Sequence, residues 1–215
     1  MRQHKQMTDM ENEEPDWDEV VAIMHEARAK SRGYATYWEW APERSRAEVG
    51  VAQALADFLT HSDGRSWASV QPIADDPPDV LLLCTSGNRV GVEVTELVDE
   101  ATVERHRYHK KVDTYPPHEW ADWTVDSLAS SIVQAIERKD RKLAARAGQY
   151  DELIVAVATD EPMISLALAE QALRMCSARA HNLQCAFLLL SYQPEADKRT
   201  FPQGVPVLSI PLQRA

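Results

Sequence analysis

Two short apolar runs with acids set into them constrain this chain more than anything else in it. Residues 79–84 read Asp-Val-Leu-Leu-Leu-Cys, residues 89–97 read Arg-Val-Gly-Val-Glu-Val-Thr-Glu-Leu, and Thr85-Ser-Gly-Asn88 separates them. Apolar runs of this length, bounded by turn residues, predict two strands of a hairpin. Asp79 stands at the mouth of the first strand, behind Pro77 and Pro78, which fix the chain's entry. Glu93 lies inside the second. An acid within an apolar strand is costly unless something positive meets it. Because side chains alternate, Gly91, Glu93, Thr95 and Leu97 share one face, and Val90, Val92, Val94 and Glu96 share the other. A hairpin that brings Asp79 beside Glu93 makes a doubly negative oxygen site, suited to a hard divalent cation, Mg²⁺ before Ca²⁺ or zinc. The hairpin alone leaves equal room for a structural reading, in which Asp79 caps a turn and Glu93 meets an arginine at the sheet edge.

The elements around this hairpin predict an α/β fold, a mixed central sheet flanked by helices. A helix over 43–60 carries Val51, Ala52, Leu55, Phe58 and Leu59 on one face, and a strand near 67–73 follows it. After the hairpin come a helix over 100–112, a connector holding Tyr115-Pro-Pro-His118 with Trp120 and Trp123, and a long helix over 125–146. Strands over 152–159, 184–191 and 205–210, with a helix over 164–179 between the first two, complete the order. Strand-helix-strand alternation implies parallel neighbours with helices on the faces. With 215 residues, the chain fits one domain over 42–215 preceded by an acidic extension over 1–41 that contains one helix, 16–32.

Two further charges fall where apolar residues belong. Glu48 lies on the stripe of Val51, Ala52, Leu55 and Leu59 in the first core helix, so it needs a partner. In the 125–146 helix, Leu128, Ile132, Ala135, Ile136 and Leu143 define the buried stripe, and Lys139 falls on it. A lone lysine there ordinarily snorkels to the rim. One inward lysine together with three inward acids in a small domain is better explained by a shared site.

This order, a helix with Glu48, a strand, the strand of Pro78-Asp79, the strand of Gly91-Val-Glu93-Val-Thr95, then a helix with an inward lysine and a strand, resembles the PD-(D/E)XK nuclease-like superfamily. The resemblance covers about residues 43–160 and rests on short motifs. It implies a restriction-endonuclease-like core in which Asp79, Glu93 and the Val94 carbonyl hold Mg²⁺, with Mn²⁺ as a substitute, and Glu48 is an accessory acid. It implies a nuclease acting on nucleic acid, DNA foremost, and a homodimer is an assembly many such enzymes adopt. The chain departs from the pattern at Thr95, where the family places its lysine. Some members carry that lysine on the following helix, which makes Lys139 the candidate and Lys142 the reserve, with Lys142 also a candidate contact to the nucleic acid. Thr95 can hydrogen-bond a metal-bound water but supplies no charge. If neither lysine reaches the metal, the domain is a catalytically inactive nuclease fold that acts as a binding or regulatory module.

The net charge of -11, from 34 acidic and 23 basic residues, excludes a protein that coats nucleic acid with its whole surface. The charge is uneven, however. Residues 104–111 supply Arg105, Arg107, Lys110 and Lys111 with Tyr108 among them, fit to meet phosphates and stack on a base, although such a run is more often a solvated helix face. His106 and His109 have a spacing that could hold a metal on a helix, without an acid to complete it. The three cysteines, Cys84, Cys176 and Cys185, sit in apolar surroundings and read as reduced core residues. No apolar run approaches the ~20 residues of a membrane span and the N-terminal residues show no signal-peptide core, so the expected location is the cytoplasm. Nucleotide-binding glycine loops and a Gly-x-Ser-x-Gly elbow are absent from the sequence.

Overall fold

The computed structural model describes residues 44–74, 77–112, 120–191, 193, 199–202 and 204–214, with Ala22. Apart from Ala22, the extension over 1–41 lies outside the described residues, as do Asp75, Asp76, the 115–118 segment and the Lys110 side chain. The chain runs α1 (Arg44–Asp63), β1 (Trp67–Pro72), β2 (Val80–Cys84), β3 (Arg89–Glu96), α2 (Glu100–Lys111), α3 (Val125–Leu143), β4 (Glu152–Thr159), α4 (Leu166–Met175), β5 (Ala178–Ala180), β6 (Cys185–Leu190), β7 (Val207–Ser209) and β8 (Leu212–Arg214). Six strands form one sheet in the order β1-β2-β3-β4-β6-β7. The β1-β2-β3 pairs are antiparallel, β3-β4-β6 are parallel, and β7 returns antiparallel to β6. The protein is therefore α/β with a mixed sheet. Among the described residues, no helix is long and apolar enough to cross a membrane.

Strand alternation builds a core on each face of the sheet. Val80, Leu82, Val90, Val92, Val94, Ile154 and Ala156 pack against Ala52, Leu55, Ala56 and Leu59 of α1. Leu153, Val155, Val157 and Leu188 pack against Leu128, Ile132, Ile136 and Leu143 of α3 and Leu173 of α4. Burying each such Leu or Ile contributes about 1.5–3 kcal/mol, enough to fix which way every strand faces. Gly91, Glu93 and Thr95 thus look toward α3. The start of α3 is set by a reciprocal cap in which the Ser127 amide donates to Thr124 Oγ1 (3.1 Å) and the Thr124 amide to Ser127 Oγ (2.9 Å). Gly64, at φ 71°, closes α1 by returning its amide to Thr60 O.

The chain differs from the sequence reading in its last third. The helix expected over 164–179 stops at Met175, because Cys176 is extended and 178–180 pair in parallel with Leu212–Arg214 in a separate two-stranded sheet. Ala-Arg-Ala has good helix propensity, but tertiary pairing and burial of Ala178 and Ala180 override it. The strand expected over 205–210 is β7, and β8 is a further strand beyond it that the sequence reading did not include. Trp123 packs, partly buried, against this core, whereas Trp120 is exposed.

Candidate functional site

The site forms where β3 outruns β2. Val80 is the last β2 residue paired, opposite Val92, while β3 continues beside β4 as far as Glu96 opposite Ala158. Asp79 therefore falls opposite Glu93, and its amide donates to Val92 O (3.1 Å). Main-chain groups along a strand alternate sides, so Val94 turns its N–H and C=O toward the edge that β2 has vacated. Asp79 Oδ2 accepts from that N–H at 2.7 Å. The Val94 carbonyl accepts from Lys139 Nζ at 3.3 Å.

Glu93 is fully buried. Its Oε1 accepts from Lys139 Nζ at 2.6 Å and from Lys142 Nζ at 3.0 Å, while Oε2 is buried with no hydrogen-bond partner among the described residues. Lys139 and Lys142 lie three residues apart on α3, hence on one side of the helix. The Lys139 side chain is 13% exposed and that of Lys142 39%. Asp79 is 8% exposed. Its carboxyl is pushed up to about 6, first by burial, then by the Glu93 charge and more weakly by Glu48, with the Val94 amide and Lys139 opposing. The Glu93 charge thus disfavours ionisation of Asp79, and a bound cation would relieve that repulsion.

Glu48 stands near enough to act on Asp79, but its partner is Arg44 at 2.8 Å, one turn earlier on α1. The partner of Glu48 is thus an arginine on its own helix, whereas Glu93 meets two lysines of α3. Thr95 is buried on the Glu93 face. On α2, Arg107 pairs with Glu104 at 2.8 Å, and Tyr108 is 63% exposed with its ring edge-on to His109. Arg105 and Lys111 lie on the same helix. Among the described residues, no group of three or more His, Cys, Asp or Glu side chains is gathered to hold a metal.

Two other buried acids show what a structural carboxylate looks like here. Asp140, next to Lys139, accepts from the amides of His181, Asn182 and Leu183 and pins the loop before β6. Glu161 accepts from the amide of Asp99, which in turn caps α2 through Thr102 N. Both Asp140 oxygens have donors, whereas Glu93 Oε2 has none among the described residues. The sequence reading missed both, although Asp140 was detectable: it lies four residues after Ile136 and three before Leu143, squarely on the buried stripe. No protein-family model and no curated protein matches the chain.

Proposed function

We propose that the chain is a Mg²⁺-dependent nuclease of the PD-(D/E)XK type, acting on phosphodiester bonds of nucleic acid, DNA foremost. The observation that carries this reading is the bare Glu93 Oε2, sealed from solvent beside a second carboxylate whose ionisation is disfavoured. Burying a carboxylate oxygen with no donor is expensive, so the arrangement makes sense as half of a cation site. Two side-chain oxygens suit Mg²⁺, which usually binds through one or two carboxylates and keeps waters or substrate phosphate in its remaining positions.

Asp79 and Glu93 would hold the ion, each having one oxygen fixed by the protein, Asp79 Oδ2 by the Val94 amide and Glu93 Oε1 by ammonium groups. When bound, Mg²⁺ would polarise the phosphate and lower the pKa of a water. Lys139 supplies a fixed positive charge against the charge that develops on the phosphate, the role the family assigns to the lysine replaced here by Thr95. The Val94 carbonyl, expected as a third ligand, is engaged by Lys139. Tyr108 and the basic residues of α2 offer a surface for the rest of the strand. Asp79→Ala and Glu93→Ala should each abolish Mg²⁺-dependent cleavage of plasmid and single-stranded DNA; cleavage at the wild-type rate by either variant would reject the assignment.

One observation favours a second reading, a catalytically inactive binding module. Two ammonium groups already neutralise Glu93, and Thr95 cannot replace a third. That reading expects Asp79-dependent Mn²⁺ binding with no cleavage of any nucleic acid.

A further inference from the structure

Taking the cation site just proposed as its basis, we infer that Lys142 is the exchangeable occupant of that site: a built-in ammonium that holds Glu93 while the cation is absent and is expelled when the cation arrives.

The two lysines are not equivalent. Lys139 is the better buried, has the shorter contact to Glu93 Oε1, and gives a second hydrogen bond to Val94 O. Lys142 reaches the same oxygen from a more exposed position, with a contact 0.4 Å longer (3.0 against 2.6 Å). Without a cation, both ammonium groups rest on Glu93, and the Lys139 charge also reaches Asp79. A divalent cation on Glu93 Oε2 places two more positive charges on a carboxylate that already carries both lysines. At such separations like charges repel strongly, least screened at the buried end. The group that leaves is the one whose charge water can take over at least cost, and the long stem of Lys142 lets its head move to solvent while the stem stays packed. Lys139, largely enclosed, stays. The exchange leaves a mobile ammonium beside the loaded site, where a phosphate oxygen is its natural next partner. Lys142 is thus a positioning residue that couples cation loading to readiness for an anionic substrate, while the unloaded protein avoids an uncompensated buried charge.

Calorimetric titration of the full chain with Mn²⁺, in the absence of nucleic acid, tests this. Lys142→Met removes the competitor, and its affinity for Mn²⁺ should rise at least about fivefold. Lys142→Arg restores a competing cation and should bring the affinity back toward wild type. Arg141→Gln removes the same charge from the neighbouring exposed position of α3 and should change affinity less than about twofold, the scale of a screened surface charge. A rise for Lys142→Met no larger than for Arg141→Gln overturns the exchange while leaving the cation site standing. If neither wild type nor Lys142→Met binds Mn²⁺, the site itself is refuted and the exchange with it. A measurement on the unaltered protein gives a second check: acetylation of Lys142 by an amine-reactive ester, followed by mass spectrometry, should accelerate when Mn²⁺ is added, with Lys111 as the internal standard. Equal rates with and without a saturating Mn²⁺ concentration would overturn the proposal.

Discussion

Asp79→Asn should make the protein more stable at neutral pH, against the usual direction for a buried-site substitution. Asp79 is ordinarily expected to ionise at 3.8 and is pushed up to about 6 in the fold, chiefly by burial and by the Glu93 charge. The folded chain therefore holds the Asp79 proton more tightly than the unfolded chain. Stability from this group is fully present below pH 3.8 and is lost as pH rises through about 6. At 1.36 kcal/mol per pH unit the interval corresponds to about 3 kcal/mol. Solvent at the site rim screens part of this, so about 1–2 kcal/mol is the expected gain of Asp79→Asn at pH 7.5. The amide keeps an oxygen for the Val94 N–H, so the substitution tests charge rather than hydrogen bonding. Urea unfolding of both proteins at pH 4.5, 6 and 7.5 measures it: the advantage should be small at the lowest pH and grow upward. Adding millimolar Mg²⁺ at pH 7.5 should stabilise the wild type and leave Asp79→Asn unmoved, since a ligand bound to the native state adds to its stability. A variant less stable than wild type at pH 7.5, or a difference that does not depend on pH, would refute the reasoning.

Two other substitutions probe the frame that holds the site. Gly91→Ala puts a methyl 2.8 Å from Pro78 Cγ and 2.9 Å from Leu153 Cδ2, so it should cost about 1–3 kcal/mol in urea unfolding and, by displacing Pro78, weaken Mn²⁺ binding through Asp79. Asp140→Ala strips the acceptor from three loop amides and should cost about 2–4 kcal/mol, with faster hydrogen exchange at His181, Asn182 and Leu183.

The strands around the site could be read from the sequence because their pattern is strict. An antiparallel hairpin with a face-switching alternation has one register that buries Val80, Leu82, Val90 and Val92 together, and that register places Asp79 opposite Glu93. Lys139 could be placed on the facing side of α3 by helical spacing, although the carboxylate oxygen it would share with Lys142 could not. Glu48 shows the limit of such reasoning. Its stripe position brings it near Asp79, but Arg44 was four residues away in the sequence and accounts for it locally. The 178–180 segment failed for the opposite reason: its partner at 212–214 is distant in the chain, and nothing local announces a pairing that only the folded core makes favourable. Asp140 could have been found, since an acid on a buried stripe needs donors, but the donors are backbone amides of a loop whose path the sequence does not state.

The adjacency of Lys139 and Asp140 gives α3 a mechanical task. One residue reaches inward to Glu93 while its neighbour grips the 181–183 turn, so the helix is moored at the point where its axial setting matters most. A slide of α3 along the sheet by a single turn would carry each ammonium about 5.4 Å and hand the place of Lys139 to another side chain. The turn before β6 therefore acts as a detent for the lysines that meet Glu93, and wear at that mooring would surface as a blurred charge pattern around Glu93 long before the fold itself gave way.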